Sequence, residues 1–252
     1  MEINKLYCMD NLELLKTLPS ESIDLIYCDV LYNTGKKFKD YDDNLGTPQE
    51  AIEWYEPRLI EMKRVLKNTG SIYLQCDCRL VHYLKIEMDN ILGMNNFRNE
   101  IIWCYNGGGT TKKQWTKKHD LILFYSKTNN FIFNTQYQPY NENSAKRLMS
   151  KHKGKDKSDR LLIGTPMTDW WNDIKCIVNP QNKEYVKYDT QKPKALLERI
   201  IKASSNEGDI VADFFCGSGT TCVVAKELGR KYIGCDINPR AIEITNGRLN
   251  EI

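Results

Sequence analysis

The chain has 252 residues, of which 41% are hydrophobic and 10% aromatic, and this length can bury the core of one domain or of one domain with an insertion. The N-terminus lacks a basic segment followed by an apolar one, and no apolar run approaches the roughly 20 residues that cross a bilayer. We therefore expect a cytoplasmic protein with no membrane association. The formal net charge of +3 is too small to indicate a particular partner.

Nine cysteines are spread along the chain without paired spacing, and several of them end or interrupt apolar runs. This distribution favours reduced, mostly buried thiols over a disulfide scaffold. Cys76 and Cys78 form a lone C-x-C, and the three histidines lie far apart in the sequence. We therefore expect no metal site.

Apolar runs and helical patterns alternate through the first half of the chain. The run at residues 23–28 predicts a buried strand. The stretch from Thr47 to Glu50 is typical of an N-cap, a proline at the first helical position and a capping-box glutamate, so a helix should continue from there to about Lys67, through Pro57. Further predicted elements are a strand at 71–76, a helix at about 79–92, and strands at 100–105 and 120–126. The alternation predicts an α/β fold.

The periodicity fails between about residues 134 and 187, where Asn, Lys, Gly, Pro and Gln accumulate. Such a segment within an α/β protein predicts an inserted lobe. Regularity resumes after Pro193, where four apolar residues at helical spacing predict a helix that ends at Gly208. The chain is therefore divided into residues 1–133, an insertion at 134–187, and residues 188–252.

Two basic segments stand out against the modest net charge. Residues 145–160 hold seven Lys or Arg against two Asp, and residues 110–118 hold four lysines around Trp115. Basic segments with an interleaved aromatic residue suit a phosphate backbone, while a solvated loop is the alternative for each. The candidate DNA contacts are Lys112, Lys113, Lys117, Lys118, Lys151, Lys153 and Lys155.

The stretch from residue 209 to 238 predicts a strand, a turn containing glycines, a helix and a second strand that ends at Asp236. Gly217 and Gly219 would let the backbone approach a ligand beside the free N–H groups of the helix N-terminus, and a plain tight turn is the alternative. Asp236 would stand where nucleotide folds hydrogen-bond a ribose diol. Cys222 replaces the third glycine of the dinucleotide motif, which favours a nucleoside with a short zwitterionic tail over a pyrophosphate.

Four stretches carry a resemblance to a known family: DVLYNTG at 29–35, KKHDLILFYSK at 117–127, TQKPKALLERIIKASSNEGDIVADFF at 190–215, and FFCGSGTT at 214–221 with Asp236 beyond it. Together they resemble the amino-group DNA methyltransferases that use S-adenosylmethionine, in the beta-type order with the catalytic stretch before the cofactor loop. The resemblance implies a Rossmann-like fold with a mostly parallel seven-stranded sheet, helices on both faces, and a target recognition lobe at 134–187.

In this family the signature is DPPY, whose acid accepts a hydrogen bond from the exocyclic amine of the target base and whose tyrosine stacks on the flipped base. Asp29 and Tyr32 match those positions, while Val30 and Leu31 replace the two prolines. Proline contributes by fixing φ, and each loss costs about 0.4 to 1 kcal/mol of preorganisation. Val30 still offers its backbone carbonyl as a second acceptor.

The resemblance also implies the cofactor contacts. Asp10 would contact the adenine ring, or cap the helix that follows it, or do both. The remaining positions would surround the methionine part of S-adenosylmethionine and its carboxylate, and they are Asp29, Thr190, Lys192, Phe215, Gly217, Gly219 and Thr220, with Asp236 on the ribose.

The implied function is transfer of a methyl group from S-adenosylmethionine to the N6 amine of adenine in double-stranded DNA, by base flipping and direct transfer. Cytosine amino-methyltransferases more often carry Ser where Asp29 stands, which favours adenine. The alternatives are a weak or inactive DNA-binding relative and an N4-cytosine methyltransferase. A nucleotide-dependent oxidoreductase is disfavoured by the missing glycine. A cognate restriction endonuclease and a homodimer are further partner hypotheses.

Overall fold

The computed structural model describes residues 1–37, 41–107, 109–151, 163–177 and 181–252, without the side chains of Met149 and Lys151. Its strands are β1 (Lys5–Cys8), β2 (Ile23–Asp29), β3 (Leu66–Cys76), β4 (Phe97–Cys104), β5 (His119–Ser126), β6 (Tyr137–Gln138), β7 (Thr165–Pro166), β8 (Trp170–Trp171), β9 (Ile210–Asp213) and β10 (Lys231–Asp236). Its helices are α1 (Asn11–Thr17), α2 (Pro48–Val65), α3 (Val81–Met88), α4 (Glu142–Lys151), α5 (Lys194–Ser204), α6 (Thr220–Glu227) and α7 (Pro239–Asn250).

One sheet joins eight of these strands in the order β1-β10-β9-β2-β3-β5-β4-β8. All neighbours pair in parallel except β5, which is antiparallel to both β3 and β4. The predicted α/β class with a mostly parallel sheet is confirmed. The eighth strand, β8, contains two residues and comes from the segment predicted as an insertion.

The side chains of β2 alternate between two hydrophobic clusters on opposite faces of the sheet. Ile26 and Cys28 join the cluster that α1, α2 and α3 cover, while Leu25 and Tyr27 join the cluster that α5, α6 and α7 cover. Every residue from 23 to 28 is buried, as expected for a strand that helices cover on both faces. The apolar run was therefore a sound signal for a central strand.

Helix α2 begins as the sequence predicts. The Thr47 hydroxyl accepts from the Glu50 N–H at 3.3 Å, and the Glu50 carboxylate accepts from the Thr47 N–H at 2.6 Å, which completes the capping box. Pro48 opens the helix, and the helix continues through Pro57.

Helix α5 ends earlier than the predicted stop at Gly208. Its last residue is Ser204, and the side-chain amide of Asn134 donates to the carbonyls of Lys202 and Ser205 at 3.1 Å each. A side chain that is distant in sequence therefore provides hydrogen bonds to free carbonyl groups at the end of the helix. The local sequence of the helix does not reveal this partner. Gly208 instead makes the turn into β9 with a φ of +85°.

The carboxyl ends of β1, β10, β9 and β2 meet at one edge of the sheet, because these neighbouring strands are parallel. From β9 the chain moves outward to β10, whereas from β2 it moves the other way to β3. A crevice opens at the carboxyl ends where strand order reverses in this manner. The strand order thus predicts a ligand site between β9 and β2.

Candidate active site

A cavity of about 470 Å³ lies at this edge, a size typical of small-molecule sites. It brings together residues from the first and last parts of the chain that the sequence analysis had selected separately. The predicted residues in its lining are Asp10, Asp29, Tyr32, Thr190, Lys192, Phe215, Gly217, Thr220 and Asp236. Gly219 is not part of the lining.

Asp29 is the last residue of β2 and directs its carboxylate into the cavity. One carboxylate oxygen forms an ion pair with the amine of Lys192, and the other accepts from the hydroxyl of Tyr32 at 2.8 Å. Burial raises the pKa of Asp29, while the Lys192 charge and the hydrogen bonds from Lys192 and Tyr32 oppose that shift. The acid is thus a shielded acceptor with a cation beside it.

The turn after Asp29 is held by hydrogen bonds where the family signature has prolines. The Val30 N–H donates to the Gln75 carbonyl at 3.2 Å, and the Tyr55 hydroxyl donates to the Leu31 carbonyl at 2.9 Å. A proline at position 30 could not make the first of these bonds. Hydrogen bonds to β3 and α2 therefore hold the backbone of this turn. In the family signature, proline rings restrict the same backbone.

Asp236 and Asp10 occupy the other part of the cavity lining. Asp236 accepts from the N–H groups of Gly217 and Asn238 at 2.8 and 2.9 Å, so it also braces the glycine loop. Burial raises its pKa. Asp10 accepts from the Leu12 N–H at 2.8 Å as the N-cap of α1, which confirms the capping alternative. The contact of Asp10 with an adenine ring stays a prediction.

The two glycines of the loop have different surroundings. Gly217 lines the cavity with a φ of +48°. Gly219 has a φ of +75°, and a Cβ built on it would lie 2.1 Å from the methyl group of Thr245 in α7. Gly219 is therefore required by the close packing of α6 and α7.

The lining fits a nucleoside that carries a charged tail. Trp54 and Phe215 supply an aromatic wall, with ring centroids 6.1 Å apart. Asp10 and Asp236 bring carboxylates to the lining, and Lys192 brings an ammonium group. Asp10 is paired with Arg58 at 2.8 Å, and Lys192 is paired with Asp29. Apolar walls with a few oriented polar groups are what S-adenosylmethionine requires of a site.

The segment that follows the signature covers part of the cavity. Within the described residues, the carboxylate of Asp43 accepts from the N–H groups of Asn33 and Thr34 at 3.1 and 2.9 Å. Tyr41 lines the cavity, and its hydroxyl lies 3.3 Å from that of Thr190. Residues 33–39 are expected to form a flap, and residues 38 and 39 lie outside the described part.

The predicted DNA-contacting lysines lie away from the cavity lining. Lys112, Lys113 and Lys117 are exposed in the loop between β4 and β5, and Trp115 in the same loop is 97% exposed. Lys118 donates to the Gly107 carbonyl at 2.6 Å, so it stabilises the loop. The side chain of Lys151, together with Lys153 and Lys155, lies outside the described part.

A polar network beside Asp29 was missed by the sequence analysis. Asp120 accepts from the hydroxyl groups of Tyr32 and Tyr105 and from the side-chain amide of Gln75. The signal was present, because an acid in the KKHDLILFYSK motif precedes a run of buried strand residues. Trp103 is buried in β4 and donates to the Ile174 carbonyl at 2.9 Å.

The insertion is anchored to the sheet edge by its later residues. Strand β8 pairs with β4, and Trp171 is buried against the core. Asp173 forms an ion pair with Arg199 of α5 at 2.5 Å. Residues 169–174 (DWWNDI) thus pack onto the core.

Among the residues that the structure describes, no three His, Cys, Asp or Glu side chains gather as ligands for a metal ion. No helix among them is long and apolar enough to span a bilayer.

The parallel sheet, the crevice at its strand-order reversal and the nucleoside-sized cavity define an α/β enzyme that uses a nucleoside cofactor. Residues 23–247 match the model of the DNA methylase family, which groups N6 and N4 methyltransferases, and the chain belongs to this family. It is therefore a DNA methyltransferase, and its cofactor is S-adenosylmethionine.

Similar proteins agree with this membership. The chain is 36% identical to the type II methyltransferase M.HpaI of Haemophilus parainfluenzae, over 98% of this chain and 74% of that protein. It is 33% identical to the DNA adenine methyltransferase YhdJ of Escherichia coli, over 96% and 81%. The crystal structure of the M1.HpyAVI–SAM complex has the same fold, with a TM-score of 0.64 at 21% identity over 98% of each chain.

Proposed function

We propose that this methyltransferase modifies the N6 amine of adenine within a short sequence of double-stranded DNA. The observation that carries the proposal is the partly buried carboxylate of Asp29, which lies at the end of β2 in the same cavity as the glycine loop and Asp236. An acid in this position suits an exocyclic amine, which has hydrogens to donate. One of the relatives, YhdJ, is an adenine methyltransferase by its name.

The chemistry needs acceptors because the lone pair of an aromatic amine is delocalised into the ring and attacks poorly. Asp29 accepts one N–H of the amine and the Val30 carbonyl accepts the other, which favours a more tetrahedral and nucleophilic nitrogen. When bound, S-adenosylmethionine would supply the electrophilic methyl group, with its sulfur as the leaving group, and the amine would give up one proton as the N–C bond forms. Lys192 orients the Asp29 carboxylate through their ion pair. Positioning and electrostatics then supply the rate enhancement without a covalent intermediate.

The target base must leave the duplex to reach Asp29, at a cost of a few kcal/mol. The ring of Tyr32 lines the cavity beside Asp29 and offers a surface on which the base can stack, which recovers part of that cost. The remaining cofactor contacts are proposed as predicted: the residues of the glycine loop and Thr190 hold the methionine part, and Asp10 and Asp236 hold the nucleoside.

The DNA surface is proposed to include the loop between β4 and β5 and the insertion at 134–187. Lys112, Lys113 and Lys117 supply positive charge in that loop, and Lys151, Lys153 and Lys155 belong to the basic stretch of the insertion sequence. Phosphate contacts of this kind give affinity, while base contacts give the sequence preference. The insertion between the flanking segments 1–133 and 188–252 is therefore proposed as the target recognition lobe.

The test is transfer of a labelled methyl group to unmodified genomic DNA, followed by nucleoside analysis. Wild-type protein should label adenine, and Asp29→Ala should lower the rate by at least about 100-fold, because one of the two acceptors is lost. Glu53→Ala, on the exposed side of α2, is the matched control for loss of an acid. Label on cytosine alone would contradict the adenine proposal and support an N4-cytosine methyltransferase. Binding of cofactor and DNA without any label would support the inactive relative.

A cytoplasmic location, a homodimer and a cognate restriction endonuclease complete the proposal. The support for the endonuclease is that M.HpaI is named as a type II methyltransferase. Mapping of the methylated site gives the sequence that such an endonuclease would have to share. Analytical ultracentrifugation at micromolar concentration decides between monomer and dimer.

A further inference from the structure

The hydroxyl of Tyr32 lies between two carboxylates. It is 2.8 Å from Oδ1 of Asp29 and 3.0 Å from Oδ2 of Asp120. The amide of Gln75 donates to this hydroxyl at 3.3 Å and to Oδ2 of Asp120 at 3.0 Å, so its two hydrogens are already directed there. A hydroxyl has one hydrogen and can donate it to one carboxylate at a time.

Asp120 is held firmly, so it can serve as a fixed acceptor. It lies in β5, is 7% exposed, and its other oxygen accepts from the Tyr105 hydroxyl at 2.9 Å. Gln75 is fixed in turn, because Tyr27 donates to its side-chain oxygen at 2.7 Å. Tyr32, in contrast, follows β2 in a segment without helix or strand hydrogen bonding.

Asp29 has both oxygens occupied in this arrangement. Lys192 is paired with one, and the Tyr32 hydroxyl is within hydrogen-bonding distance of the other. Each oxygen has a second lone pair, so an incoming amine can reach Asp29 while Tyr32 is bound, but it then shares its acceptor with the Tyr32 hydroxyl. Release of that hydroxyl leaves the whole oxygen to the amine. Asp120 offers the same hydrogen a second acceptor at 3.0 Å, so the hydroxyl need not be left unpaired in a buried site.

We propose that Asp120 is a positioning residue that accepts the Tyr32 hydroxyl when the target amine takes its place on Asp29. The exchange frees the catalytic carboxylate and holds the Tyr32 ring at the wall of the cavity for stacking. This inference rests on the proposed function, and it adds a residue from the antiparallel strand β5 to the site.

The test measures kcat and KM of methyl transfer for wild type, Asp120→Asn, Tyr32→Phe and the double variant. Asp120→Asn keeps the size of the side chain and removes the charge that attracts the hydroxyl. We expect kcat to fall about 10- to 100-fold, as for loss of a hydrogen bond to a charged group, with the affinity for S-adenosylmethionine within about twofold of wild type. In the Tyr32→Phe background, Asp120→Asn should lower kcat by at most about twofold, because no hydroxyl remains for Asp120 to hold.

Tyr105→Phe is the matched control, since it removes a hydroxyl from the other oxygen of the same carboxylate. Its effect should be smaller than that of Asp120→Asn and should add to that of Tyr32→Phe. An equal loss from Asp120→Asn in both backgrounds overturns the positioning role. If Asp120→Asn fails to fold, the same cycle is measured with Asp120→Glu, which keeps the charge and displaces the acceptor oxygens. An equal loss of kcat from Asp120→Glu in the wild-type and Tyr32→Phe backgrounds overturns the positioning role.

The failure of this inference differs from failure of the proposed function. If wild type labels adenine while Asp120→Asn and Tyr32→Phe change kcat independently, the role of Asp120 is wrong and the proposed function stands. If wild type binds cofactor and DNA but labels no adenine, the proposed function fails, and the role of Asp120 fails with it.

Discussion

At the scale of single residues, the proposed chemistry depends on how the partly buried carboxylate of Asp29 is kept charged. Burial raises the pKa of Asp29, and Lys192 and Tyr32 pull in the opposite direction. The sequence alone identified Asp29 through its motif and its position after an apolar run. It could not pair Asp29 with Lys192, which is 163 residues away, because only the sheet order brings β2 beside β9.

The raised pKa of Asp29 predicts the acid side of the pH–rate profile. The carboxylate must be ionised to accept two different donors, so activity is present above its pKa and falls as pH drops through it. Lys192→Met removes the main influence that lowers this pKa, so the acid limb of kcat against pH should move to higher pH. Lys194→Met, which removes a cation paired with Glu227, is the control. An unmoved acid limb would mean that Asp29 does not set it.

At the scale of elements, the strands and the start of α2 were predictable because burial and capping are local signals. The end of α5 was not, since the amide of Asn134 supplies its partners from elsewhere. The role of Gly219 was also hidden. Sequence spacing placed it in a ligand loop, whereas the nearest obstacle to a side chain there is Thr245.

The packing at Gly219 leads to a stability prediction. Gly219→Ala would bring a Cβ to 2.1 Å from the Thr245 methyl group at a φ of +75°, so the free energy of unfolding should fall by about 1 to 3 kcal/mol. Gly247→Ala, in α7 with nothing within 4 Å of its added Cβ, should be neutral or raise stability by up to about 1 kcal/mol. Urea unfolding of both variants checks the pair. Equal free energies of unfolding for Gly219→Ala and Gly247→Ala would contradict the explanation from packing.

The loop between β4 and β5 gives a prediction for DNA affinity. Replacing Lys112, Lys113 and Lys117 with Ala should weaken binding to all sequences and reduce the slope of log K against log salt by up to about 2.7, at roughly 0.9 per phosphate contact. A triple replacement of Lys5, Lys16 and Lys202, each paired with a glutamate, removes the same charge elsewhere. Fluorescence anisotropy across a salt series measures both slopes. Identical slopes would exclude this loop from the interface.

At the scale of the whole molecule, fold class and family followed from the order of motifs, while the polar network around Asp120 required the structure. Asp213 is another case of an environment that the sequence does not show. It ends β9 under the cavity, and burial raises its pKa from 3.8 to about 7, against hydrogen bonds from Thr221 and the Phe215 N–H. The protonated form is thus favoured in the folded protein.

This shift predicts how stability depends on pH. The folded state holds the Asp213 proton more tightly than the unfolded state does. The contribution of this proton to the free energy of unfolding is therefore complete below pH 3.8 and is lost as pH rises to about 7. Between pH 4 and 8 the free energy of unfolding of wild type should therefore fall by up to about 4 kcal/mol relative to that of Asp213→Asn. Urea unfolding at several pH values measures the difference, with Glu53→Gln as the exposed control. A constant difference between wild type and Asp213→Asn would contradict the shift.

The separation of Asp29 from Lys192 has a consequence for protein synthesis. The ribosome releases Asp29 with the first strands, whereas its partner Lys192, the glycine loop and Asp236 emerge only in the last quarter or so of the chain. Strand β2 cannot acquire β9 as its neighbour until then, so every shorter product lacks the part of the cavity lining that follows residue 187. A chain that ends before residue 188 would carry the DVLY motif without Lys192, the glycine loop or Asp236 beside it.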